Sequence, residues 1–160
     1  MNKTVFLIIV FGFFTLAWAQ LPLQVEFPAG SSLQLSNKNI IFNLEKNGFP
    51  PRELPAYYYP VEPAEGLELR LFSNLEGSWT LSAGLEPLLG DNEKWLLPER
   101  IEVRMDGGPW LPLSSSVVLL AGSGPTGGYQ IHTVEFRLRI EGDELPGSYQ
   151  GVLIFSLSRL

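Results

Sequence analysis

A chain of 160 residues with a formal charge of −6, no cysteine and a single histidine is restricted in its chemistry from the outset. The missing thiols exclude disulfides, thiolate nucleophiles, cysteine-ligated metals and c-type haem, and one imidazole excludes a His-rich metal site. The acidic balance, with charges scattered along the chain, speaks against nucleic acid and anionic membrane surfaces as partners.

In chain order, residues 1–19 (MNKTVFLIIVFGFFTLAWA) have the layout of an export signal. Lys3 supplies the positive start, residues 5–16 are an uncharged and mostly apolar run, and Ala17 and Ala19 flank Trp18 ahead of Gln20 as a small-residue cleavage site. Residues 5–18 fall short of the roughly 20 apolar residues of a membrane span. The expected division is therefore a signal peptide over 1–19 and one domain over 20–160. Lys3 leaves with the signal, so the formal charge moves from −6 to −7. The expected address is the periplasm, the cell surface or the medium, with no membrane insertion after cleavage.

The remaining pattern is one of strands. Pro and Gly recur throughout, and no long stretch keeps a helical period. Strands are expected at 23–27, 32–35 and 40–44. Residues 67–71 (LELRL), 101–105 (IEVRM) and 134–141 (VEFRLRIE) alternate apolar and charged residues, which gives a strand one buried and one wet face. Residues 78–83, 117–120 and 149–160 complete the set. A hairpin loop is expected at 73–78, a tight turn at Asp106-Gly107-Gly108, and a turn over 141–147 linking the last two long strands. Longer loops are expected at 45–55, 84–98 and 121–128. Half-buried strands at this spacing predict an all-β fold, an antiparallel β-sandwich of immunoglobulin-like or jelly-roll-like kind in a single domain.

The last third carries a further pattern. A charged alternating strand leads into Leu145-Pro146-Gly147-Ser148-Tyr149 and then Gly151-Val152-Leu153-Ile154-Phe155-Ser156-Leu157. This resembles the final hairpin of exported bacterial β-sandwich surface modules, the pilin-like and spore-coat-U-like proteins, where a PGxYxGxLxFxL segment enters the closing strand. Residues 100–104 and 108–113 resemble the middle of such domains. The resemblance covers about 60 residues. It implies the fold and an extracytoplasmic setting, and no catalytic residue or ligand.

The candidate site residues are few. By strand parity His132 stands with Val134 and Phe136 on the apolar side, as a histidine at a sheet end. Asp91, Glu93, Asp143 and Glu144 read as solvated turn charges. Tyr57, Tyr58 and Tyr59 are a possible ligand or interface run: aromatic faces stack on sugars and anchor protein contacts. In a strand Tyr57 and Tyr59 share one face and Tyr58 takes the other, which also suits simple packing. Trp95 and Trp110 are expected either to cover the open ends of the sandwich or to serve as platforms. The closing strand is expected to pair fully within the domain, with Val152 and Ile154 covered along part of its length; at a sheet edge it would instead offer a site for strand addition. No catalytic residue, cofactor or metal is expected. The expected role is that of a non-catalytic structural or adhesive protein of a bacterial envelope. Its partner would be a protein or glycan, or a second copy through an edge strand. The alternative is a carbohydrate-binding module using the exposed aromatics.

Overall fold

The alternating segments form the longest strands in a computed structural model, which describes residues 25, 26 and 28–159. The expected signal lies outside the described residues, as do Leu23, Gln24 and Phe27 of the expected first strand. The described chain contains β1 (Ser31–Leu35), β2 (Ala56–Tyr58), β3 (Leu67–Ser73), β4 (Ser78–Leu85), β5 (Leu88–Gly90) and β6 (Trp95–Leu96). A short 3-10 turn (Pro98–Arg100) follows, then β7 (Ile101–Met105), β8 (Leu111–Pro112), β9 (Val117–Ser123), β10 (Gln130–Ile140), β11 (Tyr149–Gln150) and β12 (Leu153–Arg159). The fold is all-β, and every strand pairing is antiparallel. Among the described residues no helix is long and apolar enough to cross a membrane.

One sheet runs in the order β1-β3-β10-β7-β8. Leu138 of β10 pairs with Ile101 of β7 and also with Tyr58 of β2, so β2 extends the edge that β3 occupies further along. A second sheet runs β12-β4-β9, and a small third sheet runs β11-β5-β6. Period-two alternation places Leu67, Leu69 and Leu71 of β3 on the same face as Val134, Phe136 and Leu138 of β10. Trp79, Leu81, Ala83 and Leu85 of β4 join them in one hydrophobic cluster, which thus draws on both large sheets. Removing a leucine side chain of this kind from water contributes about 1.5–3 kcal/mol.

Several expectations are corrected. Residues 73–78 do not form a hairpin: β3 and β4 belong to different sheets, and the connection carries the chain across the core so that both apolar faces look inward. Asn74 anchors this crossing by accepting from the Gly30 amide at 2.7 Å and donating to the Pro28 carbonyl at 2.8 Å. The last two long strands do not pair either, because β10 and β12 lie in different sheets. Residues 40–44 hold only a bridge between Ile41 and Glu62; the chain then turns, with Asn43 accepting from the Lys46 amide. The expected loop at 84–98 contains β5 and β6, too short to show an alternation in sequence. The closing segment is two strands, broken at Gly151 and Val152.

Candidate functional site

The outer face of the β7–β10 pair is a ladder of opposite charges. The register sets Glu135 against Arg104 and Arg137 against Glu102. Arg104 donates to both carboxylate oxygens of Glu135 at 2.8 Å, and Arg137 Nε donates to Glu102 Oε2 at 2.6 Å. Glu102 is the buried member, its side chain only 8% exposed, with Pro112 of β8 directly opposite it. Three of the five aromatic candidates gather on this ladder. The Arg104 and Arg137 guanidinium carbons each lie 4.5 Å from the Trp110 ring centroid, and Arg137 lies 3.9 Å from that of Tyr57. Tyr59 meets Trp110 at 6.3 Å with the ring planes 61° apart. Stacking of this kind is worth about 0.5–2 kcal/mol per pair. Trp110 therefore covers charged side chains on a sheet face, not an open end of the fold.

The other two candidates stand elsewhere. Tyr58 is 6% exposed and packs in the core against Phe49, so it is no surface anchor. Trp95 is exposed on β6 in the small sheet, and it makes no ring contact with the Tyr57, Tyr59 and Trp110 group among the described residues. Strand parity foresaw the split of Tyr58 from Tyr57 and Tyr59. It gave no sign of Arg137 beneath Tyr57, because that contact depends on β2 pairing with β10.

His132 faces the core side of β10 opposite Leu69, at the strand's beginning. Its Nδ1 lies 2.7 Å from Asp106 Oδ2, and the Thr133 amide donates to Asp106 Oδ1 at 2.8 Å. A carboxylate only accepts, so the bonding proton sits on Nδ1. Burial pushes Asp106 upward, but the bond to His132, the Thr133 amide and the charge interaction with His132 together hold it below its ordinary 3.8. A carboxylate orienting an imidazole is half of a proton relay. The other half needs an approachable Nε2, and here Nε2 is buried and has no hydrogen-bond partner among the described residues. This pairing was missed in the sequence; the Asp-Gly-Gly turn was its only signal.

Three of the four loop carboxylates, Asp91, Asp143 and Glu144, also have partners. Asp91 accepts from the Ser148 amide at 3.1 Å. Arg100, at the end of the 3-10 turn, bonds Asp143 at 2.9 Å, Glu144 at 3.0 Å and Glu141 at 2.8 Å. Glu144 is not a solvated turn charge, since its side chain is 15% exposed. Burial pushes Glu144 up, and the backbone amides of Glu141, Glu144 and Gly142 with the charge of Arg100 outweigh it and hold the carboxyl below its ordinary 4.5. Among the described residues no group of three or more His, Asp and Glu side chains is set to hold a metal ion.

Among the described residues the closing strand is an edge, and β12 pairs there with β4 alone through seven consecutive residues, from Leu153 opposite Leu85 to Arg159 opposite Trp79. Val152 and Ile154, expected to be covered, are 68% and 55% exposed. Leu153, Phe155 and Leu157 face the core but are only half-buried. Beside this strand is a shallow groove of about 220 Å³, lined by Ser82, Gly84, Glu86, Ser115, Ser116 and Ile154 among others.

Comparisons with protein-family models, with curated proteins and with solved structures returned no match. The resemblance of the last third to exported surface modules thus rests on its sequence motif.

Proposed function

We propose that this chain is an exported, non-catalytic structural or adhesive protein of a bacterial envelope, acting through surface contacts in a sandwich of immunoglobulin-like or jelly-roll-like kind. The observation that carries the reading is the edge that β12 forms among the described residues, where Ile154 of the strand and Val152 just before it stand in solvent. An unprotected apolar edge is a cost in solution and an asset in an interface. Further support comes from the export-type leader, from two antiparallel sheets sharing one hydrophobic cluster, and from an imidazole committed to Asp106 with its second nitrogen buried. The test is fractionation of cells producing the full chain, with the mass of the recovered protein. The expected result is a product beginning near Gln20 in the extracytoplasmic fraction. An unprocessed chain confined to the cytoplasm would overturn the reading.

A second reading is favoured by the gathering of Tyr57, Tyr59 and Trp110 on one face. These rings could stack on a glycan. The 61° angle between Tyr59 and Trp110 is unlike a flat sugar platform, and the arginines already occupy part of the Trp110 face. Glycan-array binding abolished by Tyr57→Ala or Tyr59→Ala would establish this reading; an array without signal would remove it.

A further inference from the structure

The strand edges of the two large sheets differ in how they are protected. β8 has two residues and carries Pro112, which lacks an amide proton. β9 is interrupted by a register shift between Leu81 and Ser82 of its partner β4, and such irregularities twist an edge away from new pairing. β1 has five residues, three of them Ser31, Ser32 and Gln34. β12 has seven residues in unbroken register, contains no Pro or Gly, and carries its only charge at its last position, Arg159. Residues 148–158 contain no charged side chain at all, on a chain whose formal charge is −6. This edge is where two copies of an acidic protein can approach without bringing carboxylates together.

We propose that β12 pairs antiparallel with β12 of a second copy about a two-fold axis, joining the two β12-β4-β9 sheets into one continuous six-stranded sheet. The occupant is a second copy because an antiparallel edge is complementary to itself: the same donors and acceptors meet after the rotation. A two-fold axis normal to the sheet also keeps the core-facing sides together. The register that pairs all seven residues is centred on Ser156. It sets Phe155 of each copy across from Leu157 of the other on the core side, and Ile154 across from Ser158 on the outer side. Directly opposed side chains in such a pair lie about 4.5–5.5 Å apart. The half-buried row of Leu153, Phe155 and Leu157 then gains cover beyond what the described residues of its own molecule give it. This inference rests on the contact-protein reading and names the partner.

Sedimentation equilibrium of the purified chain, over micromolar to millimolar concentrations, tests it. A reversible monomer–dimer equilibrium with little salt dependence is expected. Ser156→Glu and Ser156→Lys each set like charges across the axis and should weaken the dimer about fivefold. Mixing the two variants sets opposite charges across the same axis and should restore association, which a merely misfolded variant cannot do. A chain monomeric throughout overturns the proposal, as does a dimer indifferent to both substitutions or a mixture no tighter than its parts. A monomer found extracytoplasmically would leave the contact reading standing without self-pairing. A dimer from a chain that is never exported would do the reverse.

Discussion

Asp106 holds a φ of 50° and Gly107 one of 71° in the turn after β7, where the Gly108 amide closes onto the Met105 carbonyl at 2.9 Å. Positive φ at both central positions favours Asp-Gly, and the Asp side chain is then free to reach β10. Its carboxylate is held below its ordinary value by interactions that only the folded state makes. A depressed carboxyl stabilises above its unfolded pKa and loses that contribution as pH falls through the folded one. Glu144 behaves in the same way. Stability measured by denaturant unfolding should therefore be level from pH 7 to about 5 and fall below the ordinary values of 4.5 and 3.8. Asp106→Asn should flatten the part of that fall below about pH 4; an unchanged slope would show that the carboxylate is not coupled to folding. Gly122 offers a second test at this scale. A Cβ there would lie 2.2 Å from the Trp79 ring, and Trp79 is buried with its Nε1 donating to the Gly124 carbonyl at 3.0 Å. Gly122→Ala should cost about 1–3 kcal/mol by overpacking, and a change within 0.5 kcal/mol would contradict the tight approach.

At the scale of elements, the sequence patterns IEVRM and VEFRLRIE were readable as strands with one wet face. Their pairing was not readable, because alternation says nothing about register. The charges supply it once the strands meet: a slip of two residues would set Glu102 against Glu135 or Arg104 against Arg137 in place of the opposite-charge pairs. Arg104→Glu should therefore destabilise by about 1 kcal/mol in thermal or denaturant unfolding, and the charge swap with Glu135→Arg should recover most of it. Loss without recovery would mean that Trp110 stacking on Arg104, not the ion pair, dominates at this position. The same limit explains the misread connections. Residues 73–78 and 141–147 have hairpin chemistry, but which sheet receives the next strand is decided by packing of apolar faces across the core. β5, β6 and β8 were illegible because two or three residues carry no periodicity.

For the molecule as a whole, composition and alternation were enough for an all-β, antiparallel chain without thiol chemistry. They separated Tyr58 from its neighbours, since parity is a local property. They did not gather Tyr57, Tyr59 and Trp110 over Arg137, which requires two distant segments to converge on β10. Nor did they show that β12 lies at an edge among the described residues, because edge and interior strands can share one sequence pattern. That edge and the tyrosine face are the two surfaces through which contact is expected. The most direct test is site-specific photo-cross-linking in intact cells producing the full chain, with the reactive group at Val152 or at Tyr59. Discrete adducts of higher mass are predicted, from Val152 one of twice the chain's own mass. Monomer alone from both positions, in protein that has reached its destination, would contradict a protein that works by surface contact.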